Sequence, residues 1–212
     1  MHKPPCHGLY AITDALLIPD HRLLEAVEQA LLGGAQLIQY RDKSDDAARR
    51  LAQAQQLNAL CQRYQIPLLI NDDVELAAAA GAAGVHLGKD DPPLAAARAR
   101  LGETALIGVS CYNQLDLALA AERAGADYVA FGAVFPSPTK PTEIRASIAL
   151  LREAHAALRT PIVAIGGVTP DNAPLLLDVG VDALAVVSGV FGQPDIRAAA
   201  ARYAELFILP LP

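Results

Sequence analysis

The chain is short of cysteine, of charge and of long apolar runs, and each shortage removes a class of protein. Cys6, Cys61 and Cys111 are an odd, widely separated set without a CxxC spacing. Neither a zinc site nor a disulfide framework is therefore expected, and reduced thiols fit a cytoplasmic protein. Charged residues make up 19% of the chain and hydrophobic residues 53%, a balance that builds a core rather than a disordered segment. A net charge of −6 leaves no surplus of Lys and Arg for a general nucleic-acid surface, although a local pocket needs only a few cations. No segment reaches the roughly 20 uninterrupted apolar residues of a membrane span. The start, Met1-His2-Lys3-Pro4-Pro5, lacks the apolar stretch of a signal peptide, and the apolar tail 207–212 is short and broken by prolines. Neither nucleic acid nor membrane is expected as a partner. Small-molecule substrates are, and whether the chain acts as a monomer or a homo-oligomer is not readable from it.

What is present is alternation. Short runs rich in Val, Ile and Leu at 8–14, 35–41, 67–72, 84–88, 105–111, 126–135, 161–168 and 183–190 read as buried parallel strands. Between them, stretches of helical composition fall near 22–32, 45–64, 73–80, 93–101, 114–124, 146–158, 171–179 and 194–206. Glycines recur at the helix-to-strand joints (Gly33-Gly34, Gly81, Gly125, Gly180), where a left-handed residue ends a helix. Eight such units in 212 residues, with no GxGxxG turn after the first strand, predict a single-domain (β/α)8 TIM barrel rather than a doubly wound sheet. The whole of 1–212 reads as that one α/β domain, with a short extension over 1–7 and the tail 207–212.

In such barrels the chemistry collects where strands end, and here the polar residues do the same. Gln39, Arg41 and Lys43 are spaced by two, which puts an amide, a guanidinium and an ammonium on one face and Tyr40 and Asp42 on the other. Asp72 and Asp91 follow successive strands. Two neighbouring carboxylates call for a bridging cation or a shared proton, and magnesium, which takes one or two carboxylates plus phosphate oxygens, suits them. Asp73 is the better helix cap of its pair, with Asp90 a further candidate cap. After the sixth run comes Phe131-Gly132-Ala133-Val134-Phe135-Pro136-Ser137-Pro138-Thr139-Lys140-Pro141, a proline-stiffened loop carrying two hydroxyls and an ammonium. Gly166-Gly167 and Val187-Ser188-Gly189 follow the last two runs, where barrels of this kind cradle a phosphate. His86 reads as a core or rim histidine rather than a ligand, Cys111 has no base partner, and Arg49, Arg50, Arg98 and Arg100 read as solvated helix faces.

Arg41, Lys43, Asn71, Ser110, Lys140 and the two carboxylates thus suit a magnesium diphosphate, and the glycines with Ser188 suit a separate monophosphate. With these residues in place the chain resembles the thiamine-phosphate synthases from end to end. The shared motifs are Leu9-Tyr10-Ala11-Ile12-Thr13-Asp14, Gln39-Tyr40-Arg41-Asp42-Lys43, Ile70-Asn71-Asp72, Val85-His86-Leu87-Gly88 with Asp91, and Gly108-Val109-Ser110. They continue with Pro136-Ser137-Pro138-Thr139-Lys140-Pro141, Ala164-Ile165-Gly166-Gly167-Val168 and Val186-Val187-Ser188. The resemblance implies a Mg-dependent transferase that joins hydroxymethylpyrimidine diphosphate to a thiazole phosphate (or its 2-carboxy form), giving thiamine phosphate and diphosphate by a dissociative substitution. It implies that Gln39, Tyr40, Arg41, Asp42, Lys43, Asn71, Ser110 and Lys140 bind the pyrimidine diphosphate. It also implies that Asp72 and Asp91 hold magnesium and that Ser137, Pro138, Thr139, Gly167, Val187 and Ser188 bind the thiazole phosphate. Lys140, Arg41, Lys43 and Ser110 would carry catalysis by stabilising the leaving group.

Three residues depart from the family's usual pattern: Ser137 for Thr, Lys89 for Gln and Tyr112 for His. The His replaced by Tyr112 is a feature associated with the related thiazole tautomerases. A tautomerase, another phosphosugar isomerase and a non-catalytic phosphate sensor are the rival readings. The full set of cations and carboxylates favours the synthase.

Overall fold

Eight apolar runs form strands: β1 (Gly8–Ile12), β2 (Leu37–Tyr40), β3 (Leu68–Asn71), β4 (Gly84–Leu87), β5 (Leu106–Tyr112), β6 (Tyr128–Gly132), β7 (Ile162–Ile165) and β8 (Ala183–Val186). The computed structural model describes residues 6–136 and 145–208. The strands pair in parallel in chain order, and β8 returns to β1, so the sheet is a closed barrel without edges. Among the described residues the helices are α1 (Leu23–Leu32), α2 (Ala47–Arg63), α3 (Val74–Ala80), α4 (Leu94–Leu101), α5 (Leu115–Arg123), α6 (Ile148–Ala157), α7 (Pro174–Leu177), α8 (Ser188–Phe191) and α9 (Ile196–Ala204). None of them is long and apolar enough to cross a membrane.

Local chemistry sets the joints. Asp46, Asp73, Ser147 and Asp195 each accept a hydrogen bond from the backbone N–H three residues on, opening α2, α3, α6 and α9. Each such cap is worth about 1 kcal/mol. Asp90 is not a cap, because α4 opens at Pro93 without a side-chain bond. The expected glycine joints hold: Gly34, Gly81, Gly125 and Gly180 all take positive φ.

The pleat sorts the side chains into two apolar layers. Leu9, Ile38, Ile70, Val85, Ile107, Val129 and Leu184 face the helices, and Tyr10, Ile12, Leu37, Leu69, Tyr128, Val163 and Ala183 fill the barrel. Register then brings the polar residues together. Gln39 lies beside Ile12, Asn71 beside His86, and Ser110 beside Ala130.

The last quarter of the chain departs from expectation. The run 183–190 is strand only to Val186, and Ser188–Phe191 turns into α8. Val190 and Phe191 are buried as one face of a helical turn, and a short apolar run does not by itself tell a strand from such a turn. Gly189 permits the turn, since a Cβ there would sit 2.3 Å from the Tyr203 hydroxyl. Within the expected helix 171–179 only α7 is α-helical, because Pro174 brings no N–H and serves as its first residue.

Candidate active site at the C-terminal rim of the barrel

The ends of β2, β3 and β4 carry a charged edge. β2 stops at Tyr40, but the Arg41 N–H still donates to the Thr13 hydroxyl at 2.9 Å, which keeps the inward alternation going. The Arg41 guanidinium lies 3.4 Å from Asp14, and the Lys43 ammonium pairs with Asp72. Asp72 adopts φ +63°, a left-handed conformation that Asp tolerates better than most residues. The turn leaves its carboxylate on the rim while the next residue, Asp73, caps α3 and pairs with Arg50 at 2.8 Å. Asp91 folds back over Gly88 and accepts its N–H at 2.6 Å.

The Asp72 and Asp91 carboxyl groups lie within hydrogen-bonding reach of each other. Burial pushes Asp72 up, but Lys43 and the bond to Asp91 outweigh it and hold Asp72 below the usual carboxylate range. Burial and the charge of Asp72 push Asp91 up. One carboxylate is thus ionised and the other is held reluctant by its neighbour, a pairing that a divalent cation relieves. The pair offers hard carboxylate oxygens, the donors that magnesium takes, rather than the imidazole and thiolate donors that zinc usually takes.

Tyr40 and Asp42 face away from the barrel mouth, as their spacing predicts. The Tyr40 hydroxyl donates to Gln53 at 2.7 Å. Asp42, with a side chain only 3% exposed, receives Arg49 at 2.9 Å and the Ser44 N–H at 2.7 Å. Any contact of Tyr40 or Asp42 with a bound diphosphate would come from the backbone. Arg49, Arg50 and Arg98 are not free solvated charges either. Arg49 pairs with Asp42 and Asp20, Arg50 with Asp73 and Arg98 with Asp127, whereas Arg100 is solvated as expected, its side chain half exposed and its partner Glu75 more so.

A second feature runs through the barrel interior. Gln39 Nε2 donates to the Tyr10 hydroxyl at 2.5 Å, and Tyr10 meets the Tyr128 hydroxyl at 2.9 Å. Tyr128 meets His86 Nδ1 at 2.8 Å, and His86 Nε2 meets Ser110 Oγ at 2.9 Å. Burial pushes the His86 imidazole down to about 4, against a smaller opposing pull from Asp72. His86 is therefore held neutral, and it sits where the sequence reading of a core or rim histidine put it, but it leads to Ser110. Tyr10 and Tyr128 were not singled out in the sequence, where an aromatic residue on an apolar run reads as core.

On the far side, Gly167 (φ +65°) packs so tightly that a Cβ would meet the Pro136 carbonyl at 2.4 Å, and its own carbonyl accepts from Asn172 at 3.0 Å. Val187 is the cap of α8 and Ser188 its first residue. Ser137, Pro138, Thr139 and Lys140 lie outside the described residues. The Lys89 ammonium sits 4.0 Å from Asp90 on an exposed edge, and the Lys89 N–H donates to the Tyr112 hydroxyl at 3.2 Å. The Lys89 side chain is thus turned to solvent rather than to the neighbouring carboxylate pair.

Residues 9–190 match the family model described as thiamine monophosphate synthase. The chain is 58% identical to the thiamine-phosphate synthase of Nitrosococcus oceani over 94% of this chain and 92% of that protein. It is 55% identical to that of Thiobacillus denitrificans over 94% of each. A solved structure, the thiamine phosphate pyrophosphorylase of Pyrococcus furiosus, superposes with a TM-score of 0.87 at 36% identity over 97% of both chains. A barrel rim with a carboxylate pair, flanking cations and two glycine-bearing strand ends, in a chain that matches this family from its first strand to its eighth helix, makes it a member of the thiamine monophosphate synthase family.

Proposed function

We propose that the rim binds the diphosphate of an aminopyrimidine substrate at the ends of β2 to β5 and the phosphate of a thiazole substrate at the ends of β7 and β8. The observation that carries this reading is the convergence of Asp72, Asp91, Lys43 and Arg41 on adjacent strand ends. Asp72 and Asp91 would hold magnesium, which when bound neutralises charge on the diphosphate oxygens. Arg41, Lys43, Asn71 and Ser110 would bind that diphosphate together with Lys140, which the sequence resemblance assigns. Ser137, Pro138, Thr139, Gly167, Val187 and Ser188 would bind the thiazole phosphate.

The chemistry follows from these roles. The bond between the pyrimidine methylene carbon and the diphosphate oxygen breaks, and its electron pair leaves on the diphosphate. Arg41, Lys43, Lys140 and the Ser110 hydroxyl meet the charge that develops there. The thiazole nitrogen then supplies its lone pair to the methylene carbon, closing the new C–N bond. The chain needs no nucleophile of its own, only positioning and charge stabilisation. The chain's sequence, a small acidic protein with buried thiols, supports a soluble setting for this reaction.

The reading is tested by magnesium activation. Wild-type turnover of the two substrates should saturate with Mg²⁺, and Asp72→Asn and Asp91→Asn should each raise the half-saturating Mg²⁺ and cut turnover by about a hundredfold or more. Unchanged magnesium dependence in both variants would remove these two residues from the metal site.

A further inference from the structure

The interior row of polar groups, from Gln39 through Tyr10, Tyr128 and His86 to Ser110, is an unusual filling for a barrel core, which is ordinarily packed with branched aliphatic side chains. We propose that this row is a one-way hydrogen-bond chain that holds the Ser110 hydroxyl as a donor toward the barrel mouth, which makes His86 and Tyr128 positioning residues for the anion bound there. The inference rests on the diphosphate site proposed above and adds to it the groups that aim one of its donors.

The direction follows from counting protons. Gln39 Nε2 donates to Tyr10, so the single proton of Tyr10 is left to serve the next oxygen, that of Tyr128. Tyr128 in turn has one proton, and its remaining neighbour in the row is His86 Nδ1. With Nδ1 accepting, the imidazole carries its proton on Nε2 and donates it to Ser110 Oγ. Ser110 then has an occupied acceptor and a free proton, and that proton points out of the row. The opposite sense, or an imidazole protonated on both nitrogens, would make Tyr128 donate to Tyr10. The Tyr10 proton would then face the Gln39 amide donor inside a dry core, and a buried donor without an acceptor is costly.

The packing is arranged around this row. A Cβ on Gly108 would come within 1.9 Å of the Tyr128 ring, so glycine two residues before Ser110 is what lets the phenol reach across β5 to His86. The Tyr128 and His86 rings are stacked at 5.6 Å with an interplanar angle of 18°, and Tyr10 meets Tyr128 edge to face at 5.9 Å. Both tyrosines are 1% exposed. Every ring in the row is therefore held in orientation as well as in reach, and Ser110 is the end of the row left with a proton to give.

Two measurements on the full chain test this. Nitrogen NMR of histidine-labelled protein at neutral pH should show His86 as the neutral tautomer protonated on Nε2. A proton on Nδ1, or on both nitrogens, would overturn the chain's direction. Tyr128→Phe should lower kcat/KM for the pyrimidine diphosphate by about tenfold, the scale of one lost hydrogen bond. The same change made on Ser110→Ala should cost nothing further, because the relay acts only through that hydroxyl. Independent, multiplying losses would contradict a positioning role through Ser110. If Tyr128→Phe does not fold, Tyr10→Phe makes the same comparison one bond further along. A protein that forms no thiamine phosphate at all would sink the functional reading, and the tautomer would still decide the direction of the row.

Discussion

Asp42 makes no side-chain approach to the barrel mouth, yet it holds the segment that does. Its carboxylate binds Arg49 and the Ser44 N–H on the outer side of the loop that carries Arg41 and Lys43 inward. Burial alone would push Asp42 up, but Ser44 and Arg49 overcome this and hold it below the usual carboxylate range. A depressed carboxylate adds stability above its unfolded pKa near 3.9 and loses it as pH falls through the lower folded value. Asp42→Asn should therefore destabilise the protein at pH 7 by about 1–3 kcal/mol, read from the urea midpoint, and the gap to wild type should narrow in strong acid. His86 works in the opposite sense. It is held neutral down to about 4, so below about 6.5 the unfolded chain takes up a proton that the folded one refuses. Between pH 7 and 4.5 this group should remove roughly 2–3 kcal/mol of stability. His86→Gln should flatten that part of the pH dependence, and an unchanged acid slope would contradict the buried neutral imidazole.

At the scale of elements, β5 shows what one glycine decides. Gly108→Ala pushes a methyl into the Tyr128 ring and should cost about 1–3 kcal/mol or more in overpacking, measured by denaturant unfolding. Ala substitutions at neighbouring exposed positions of α5 should stay near wild type. The eight strands were legible in the sequence because short, continuous apolar runs bounded by turn residues are a local pattern, and the strands they form are buried almost throughout. Gln39, Arg41 and Lys43 share a face by spacing alone, and in the structure they reach Tyr10, Asp14 and Asp72 respectively, although β2 itself ends at Tyr40. The short helix α8 was not legible, since a single turn with Val187, Val190 and Phe191 apolar is too short to tell a helical period from a strand. The partners of Arg49 and Arg98 were not legible for a different reason. Asp20 and Asp127 lie 29 residues from them in sequence, and only the packing of neighbouring strand–helix units brings them together.

Taken as a whole, the molecule is a closed barrel whose inner layer combines packing and chemistry: Ile12, Leu37, Leu69, Val163 and Ala183 fill it beside the polar row contributed by β1, β2, β4, β5 and β6. Such an interior leaves the thiols no catalytic part. Cys6, Cys61 and Cys111 are all buried, and burial pushes Cys61 and Cys111 up to about 12 and Cys6 higher still. A thiol reagent should leave all three unmodified in the native protein at pH 7.5 and modify them on unfolding. Rapid native labelling with loss of activity would point to a reactive cysteine that the structure does not provide. The polar row through the core had no signature in composition or spacing, because its members come from five different strands and meet only once the barrel closes. The most direct measurement of the central claim follows both products at once in purified protein supplied with the pyrimidine diphosphate, the thiazole phosphate and Mg²⁺. Diphosphate and thiamine phosphate should appear in equal amounts and only when both substrates are present, whereas conversion of the thiazole phosphate alone, or no product with either metal condition, would contradict the account.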